Sequence, residues 1–190
     1  MERWHQGAGV AKKAPRTNAE LAAAAVAAGK AGAAVFPAAY GAKRFDTQEL
    51  RAYMKSTKQE ISEKKKDLNG VKKESDESAE DFERRRIERR AAVLGVQFGA
   101  IALLSHKGHA DEAESFKKDA VAGVRDYNKS VAKYNRTADQ PVAPLSENII
   151  AKIAKEGKLP ENLPFGSAAT GHDAALTGGV NEGSKNEGQI

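Results

Sequence analysis

Cysteine is missing altogether from the 190 residues, which excludes a disulfide scaffold and any metal held by thiolates. Aromatic side chains are scarce, at 6% with a single tryptophan. A core made mainly of alanine, valine and leucine buries less area per residue than an aromatic one, so stability has to come from long helices or partner chains. Alternating strand-type runs are also lacking, and with them the strand–turn–helix setting of a phosphate loop or a G-x-S-x-G nucleophile. No apolar run is long enough to span a bilayer. Ala91 to Leu104, interrupted only by Gln97, covers about 21 Å of a roughly 30 Å hydrocarbon layer, and the Ala/Gly-rich segment after Asn18 has Lys30 in mid-run and too little transfer energy to span. Metal chemistry has one candidate, His106 and His109 followed by Asp111 and Glu112. Zinc needs three or four convergent ligands, so these residues read as a solvated turn. The carboxylates of 74–83 read as a solvated acidic turn rather than the facing pair of a catalytic cleft. No catalytic residue, metal or cofactor is expected.

What is present points to helices. The stretch Ser78 to Ser105 begins with a capping serine and early acids, continues through five arginines and ends in the apolar run. It reads as one long helix, solvated in its first half and buried on more than one side in its second. Before it, Asp46 to Glu49 is a helix start signal. Leu50, Met54, Thr57, Ile61, Lys64, Leu68 and Val71 then follow at alternating spacings of four and three, a heptad seam weakened at Thr57 and Lys64. The long helix keeps the same spacing through Ile87, Ala91, Leu94, Phe98 and Ile101, and after the break at His106–His109 a third seam runs through Ala113, Phe116, Ala120, Gly123, Tyr127, Val131 and Tyr134. Three helices of similar length joined by short turns predict an all-α fold, with an antiparallel three-helix, coiled-coil-like bundle over 46–137.

Around that core, residues 1–17 read as an extended basic arm, with Trp4 as a potential anchor on a partner. Residues 18–44 read as an Ala/Gly-rich helical segment that Pro37 ends or kinks just after Phe36. Residues 138–159 read as a linker and a short amphipathic helix carrying Ile149, Ile150 and Ile153. The glycine-rich tail, 160–190, is expected to build no core. Lysine plus arginine outnumber aspartate plus glutamate by 7 to 2 over residues 1–44, against 0 to 6 over 74–83 and 1 to 4 over 160–190. Segments of opposite sign can attract within one chain or between copies.

Three patterns bear on partners. Gly95 and Gly99 form a G-x-x-x-G face where two helices approach closely. Arg84, Arg85, Arg86, Arg89 and Arg90 are candidate phosphate contacts, although Glu80–Arg84 and Asp81–Arg85 at i,i+4 favour an ordinary paired surface, at about 0.3 kcal/mol a pair. Tyr127-Asn128 recurs after seven residues as Tyr134-Asn135, and Val124 as Val131, two layers of a helix contact in register. Trp4, Phe36, Gly95, Gly99, Tyr127 and Tyr134 are therefore the expected interface residues.

The alanine- and glycine-rich N-terminal segment, the Tyr127-Asn128, Val131-Ala132, Tyr134-Asn135 helix and the arginine-rich helix leading into Val93 to Gln97 resemble, in texture, the internal or ejection proteins of short-tailed bacteriophages. The resemblance implies a non-enzymatic virion component, packed in many copies and associated with tail, portal or host membrane. The expected function is thus structural: a subunit of a homo- or hetero-assembly, in a virion or the cytoplasm, with no cleaved signal peptide evident. A membrane-associated or inserting helical protein is one alternative, and a sequence-independent nucleic-acid binder is another.

Overall fold

The computed structural model describes residues 44–160 and 163–165. The expected arm at 1–17, nearly all of the Ala/Gly-rich segment at 18–44 and most of the 160–190 tail, with Trp4 and Phe36, lie outside the described residues. The regular elements within them are four helices, α1 (Thr47–Asn69), α2 (Ala79–His106), α3 (Ala110–Asn135) and α4 (Asn148–Glu156). The fold is all-α.

Local chemistry sets the helix ends. At the start of α1 the Asp46 carboxylate accepts from the Glu49 N–H at 2.8 Å, and the Glu49 carboxylate accepts from the Asp46 N–H at 3.0 Å. This reciprocal pair satisfies two N–H groups that a helix start leaves without partners. Ser78 caps α2 by accepting from the Asp81 N–H at 3.0 Å. Gly108, at φ +78°, ends α2: its N–H donates to Ser105 O at 3.1 Å and the His109 N–H to Leu104 O at 2.8 Å. That is the double bond pattern of a left-handed helix cap, which glycine adopts without strain. Three residues therefore suffice to turn α2 into α3.

The two longest helices lie antiparallel, with Arg84 beside Tyr134, Arg90 beside Ser130 and Leu94 beside Gly123. Every residue from Ala91 to Ala102 is buried. A Cβ at Gly123 would lie 2.9 Å from Leu94 Cδ2 and 3.3 Å from Gln97 Oε1, so a side chain at position 123 would require these two side-chain ends to shift for α3 to lie this near to α2. Ile87, Ala91, Leu94, Phe98 and Ile101 of α2, at alternating spacings of four and three, are at most 1% exposed, and the predicted seam residues Ala113, Phe116, Ala120, Tyr127, Val131 and Tyr134 of α3 are buried with them.

A closed three-helix bundle is not what surrounds α2. It packs against each of the other helices, but α1 and α3 do not pack against each other. The reason lies in α1. Its buried residues are Tyr53, Thr57 and Ile61, Leu50 and Met54 pack on the core edge, and the predicted seam positions Lys64, Leu68 and Val71 stay outside it. The second half, with Lys64, Lys65, Lys66 and Asp67, has too little apolar surface to cover two neighbours.

The remaining side of α2 and α3 is filled by the chain that follows. After α3 it turns back and runs antiparallel to that helix, held by two asparagines. Asn135 accepts from the Val142 N–H at 2.8 Å and donates to its carbonyl at 2.9 Å. Asn128 does the same with Leu145, at 2.8 Å in both directions. Each amide thus replaces the two partners a neighbouring strand would supply, while Val142 and Leu145 enter the core. Next comes α4, burying Ile150 and Ile153. It ends at Gly157 (φ +62°), where a Cβ would stand 3.1 Å from His106 Cα. Leu163 and Phe165 then return to the core, 5% and 0% exposed. Phe165 stacks on Phe98 at 6.0 Å and tilts against Tyr127 at 5.8 Å. The expectation that the chain contributes nothing to the core beyond residue 160 is thereby corrected, because Leu163 and Phe165 are two large apolar side chains of that core.

The turn between α2 and α3 is solvated only in part: His106, Gly108 and Asp111 are exposed, as expected, but two of its residues are not. Lys107 and His109 are each 4% exposed. Phe45 stacks on Tyr53 at 5.3 Å and His109 at 5.8 Å, with Lys107 Nζ 4.6 Å from its ring centre.

Candidate functional site

Helical spacing spreads the five arginines of α2 around its first turns, and packing gives them different tasks. Arg84 is buried. It bonds Glu80 at 2.8 Å and Asp81 at 2.7 Å, with its guanidinium 5.8 Å from the Tyr134 ring centre. Burial raises the Tyr134 hydroxyl pKa above its ordinary value, and the hydrogen bond and charge of Arg84 work against that rise. Arg85 does not pair with Asp81 as the i,i+4 spacing suggests. It reaches back over the α1–α2 turn, donating to both oxygens of Glu77 at 2.6 and 2.7 Å and to the Lys72 carbonyl at 2.8 Å. These two arginines hold their own chain together and have little left for a phosphate. Arg89 is exposed, with no ion pair among the described residues.

Arg86 and Arg90, one turn apart on α2, face α3 across a concavity of about 350 Å³. The opposite wall carries Lys129, Lys133 and Arg136, also at one-turn spacings, with Asp126 as the only carboxylate in the lining. Asp126 is engaged by Lys129 at 3.3 Å, and Arg86 by Glu83 at 3.4 Å. Arg90, Lys133 and Arg136 have no carboxylate in ion-pair range among the described residues. Arg90 Nε donates to the buried Ser130 hydroxyl at 3.0 Å, which fixes the guanidinium against the wall. Its pKa is pushed below the usual arginine value, first by burial and then by the charge of Arg86. A half-buried cation beside another cation is stabilised by any anion that enters.

Of the sequence-expected phosphate contacts, then, the fold brings Arg86 and Arg90 to this concavity and leaves Arg84, Arg85 and Arg89 out of it. Lys129, Lys133 and Arg136 were not foreseen. Their i, i+4, i+7 spacing was legible, but that they face α2 arginines depends on the register of the hairpin. No family model matches this chain, and neither does any curated protein or solved structure. Among the expected interface residues, Gly95, Gly99, Tyr127 and Tyr134 are all buried. The two tyrosines support the chain's own core, and their paired asparagines grip its own main chain. Among the described residues no cluster of three or more histidines and carboxylates is placed to hold a metal. None of the described helices is long and apolar enough to cross a membrane.

Proposed function

We propose that the chain is a non-enzymatic assembly subunit, a helical frame that fixes where its flanking segments leave it so that they can bind neighbouring subunits. One observation carries this reading: the use made of the scarce aromatic side chains. Phe45 lies against Tyr53 and His109, and Phe165 against Phe98 and Tyr127. Phe45 precedes α1 and Phe165 follows α4, and both are buried, so the chain is pinned on either side of the helical set. Each aromatic ring buries a large area with few rotatable bonds, which suits it to hold a fixed point. Trp4 and Phe36, in the segment before Phe45, are the anchors the sequence offers to a partner. The finer reading, a virion component in an internal, portal- or tail-associated position, rests on the phage-protein resemblance.

The test is the mass of the full chain in solution, by light scattering across a wide concentration range. The expected particle is a multiple of the 20.3 kDa chain. The double variant Trp4→Ala, Phe36→Ala is expected to return it to one chain with its helical circular dichroism unchanged. A single-chain particle at every concentration removes the proposal.

A further inference from the structure

We infer that the concavity between α2 and α3 binds the phosphodiester backbone of double-stranded nucleic acid. Five cations stand around it against one carboxylate, which is already engaged by Lys129. Most acids around the arginine run are also committed, Glu80 and Asp81 to Arg84, Glu77 to Arg85 and Glu83 to Arg86. Among the described residues no carboxylate comes within ion-pair distance of Arg90, Lys133 or Arg136, and Asp126 and Glu83, whose charge reaches Arg90, already pair with Lys129 and Arg86. An anion from outside would supply the counter-charge.

The arrangement of the charges suits a row of phosphates better than a single one. Arg86 and Arg90 stand about 6 Å apart along α2, and Lys129 to Arg136 cover about 10 Å along α3, at ~1.5 Å of rise per residue. One strand of a duplex presents a phosphate every ~3.4 Å along its axis, so the longer row matches about three. Arginine donates in a planar fork and lysine as a mobile point charge, and both recur at phosphates. No aromatic side chain lines the concavity, so there is no platform for unstacked bases, and contact is confined to the backbone and indifferent to sequence. Concavity also favours the ridge of a backbone over the flat face of a bilayer. Arg90 is held in place by Ser130, so part of the ordering cost is met before any ligand arrives.

The experiment measures anisotropy of a fluorescent duplex of arbitrary sequence, titrated with the full chain at several salt concentrations. Three contacts predict that affinity falls about 40-fold between 50 and 200 mM salt. The exposed pair Lys133→Glu, Arg136→Glu is expected to weaken binding at least tenfold and flatten the salt dependence by about two ion equivalents. Reversing Lys155 and Lys158, an equal change in net charge, is expected to leave affinity within about twofold at physiological salt: they flank Gly157 beside His106, about 24 Å along α2 from Arg90 at ~1.5 Å per residue, and charges beyond a Debye length are screened. Circular dichroism confirms that both variants are folded. Equal losses in the two double variants would mean that net charge alone is responsible and would overturn the site. So would the absence of duplex binding, or flotation with phosphatidylserine vesicles lost on reversal of Lys133 and Arg136 while the duplex goes unbound.

Discussion

At the scale of single residues, Asn128 and Asn135 decide whether the returning chain stays on α3. Each amide both accepts from and donates to one residue of that segment, a task suited to a planar group with its donor and acceptor on separate atoms. Asn128→Ala removes both bonds to Leu145 and leaves a part-buried N–H and carbonyl to find water, at a cost of about 1–3 kcal/mol. Asn128→Asp is the sharper test. It keeps an acceptor for the Leu145 N–H but sets a carboxylate against the carbonyl oxygen, so it is expected to be no more stable than the alanine variant. Urea midpoints give the comparison, and hydrogen exchange at the Val142 and Leu145 amides shows whether the loss is local. An aspartate variant as stable as wild type would mean the grip is not two-sided.

At the scale of elements, the α1–α2 turn is held by a bond that depends on pH. The Arg85 hydrogen bond is the main reason the Glu77 carboxyl titrates below its ordinary value, helped by the Glu74 N–H and the Arg85 charge and opposed by burial. A depressed carboxyl pKa stabilises the folded chain above the ordinary carboxylate range, and that contribution fades as pH falls through the depressed value. Thermal melts between about pH 5 and pH 3 should therefore cost the wild type more stability than Glu77→Gln, which has no such charge to lose. Equal losses would show that the staple adds nothing.

The helices themselves were legible because each carries its own signals: Asp46 with Glu49 at one start, Ser78 at another, Gly108 at an end, and apolar residues at threes and fours between. The arrangement of α1 was less so. Tyr53, outside the predicted seam, is buried, while Lys64 and Leu68 on the seam are not core, because a heptad pattern does not say how far along a helix its partner extends. The tyrosine–asparagine repeat was visible as a repeat. That Asn128 and Asn135 would hold Val142 and Leu145 was not, since side-chain bonds to distant main chain leave no spacing rule in the sequence. The cationic concavity was half legible for a similar reason: Arg86 and Arg90 stood out, but their opposite wall exists only once α3 folds back beside α2.

At the scale of the whole molecule, the segment after α4 is the least expected part of the core. Phe165 sits across α2 and α3 with no exposed surface, so Phe165→Ala is expected to cost about 3–5 kcal/mol, a large share of the 5–15 kcal/mol of a typical domain. Denaturant titration measures it, and a loss under about 1 kcal/mol would mean that this segment merely rests on the helices. The amide grip leading to it has an evolutionary corollary. Because Asn128 and Asn135 recognise peptide groups and not side chains, Ala143 and Pro144 between the gripped positions can drift, and Val142 and Leu145 can exchange with other apolar residues, without loosening the hold. Natural variation along this strip should therefore be lopsided: two invariant letters on the helix facing a permissive stretch of ribbon.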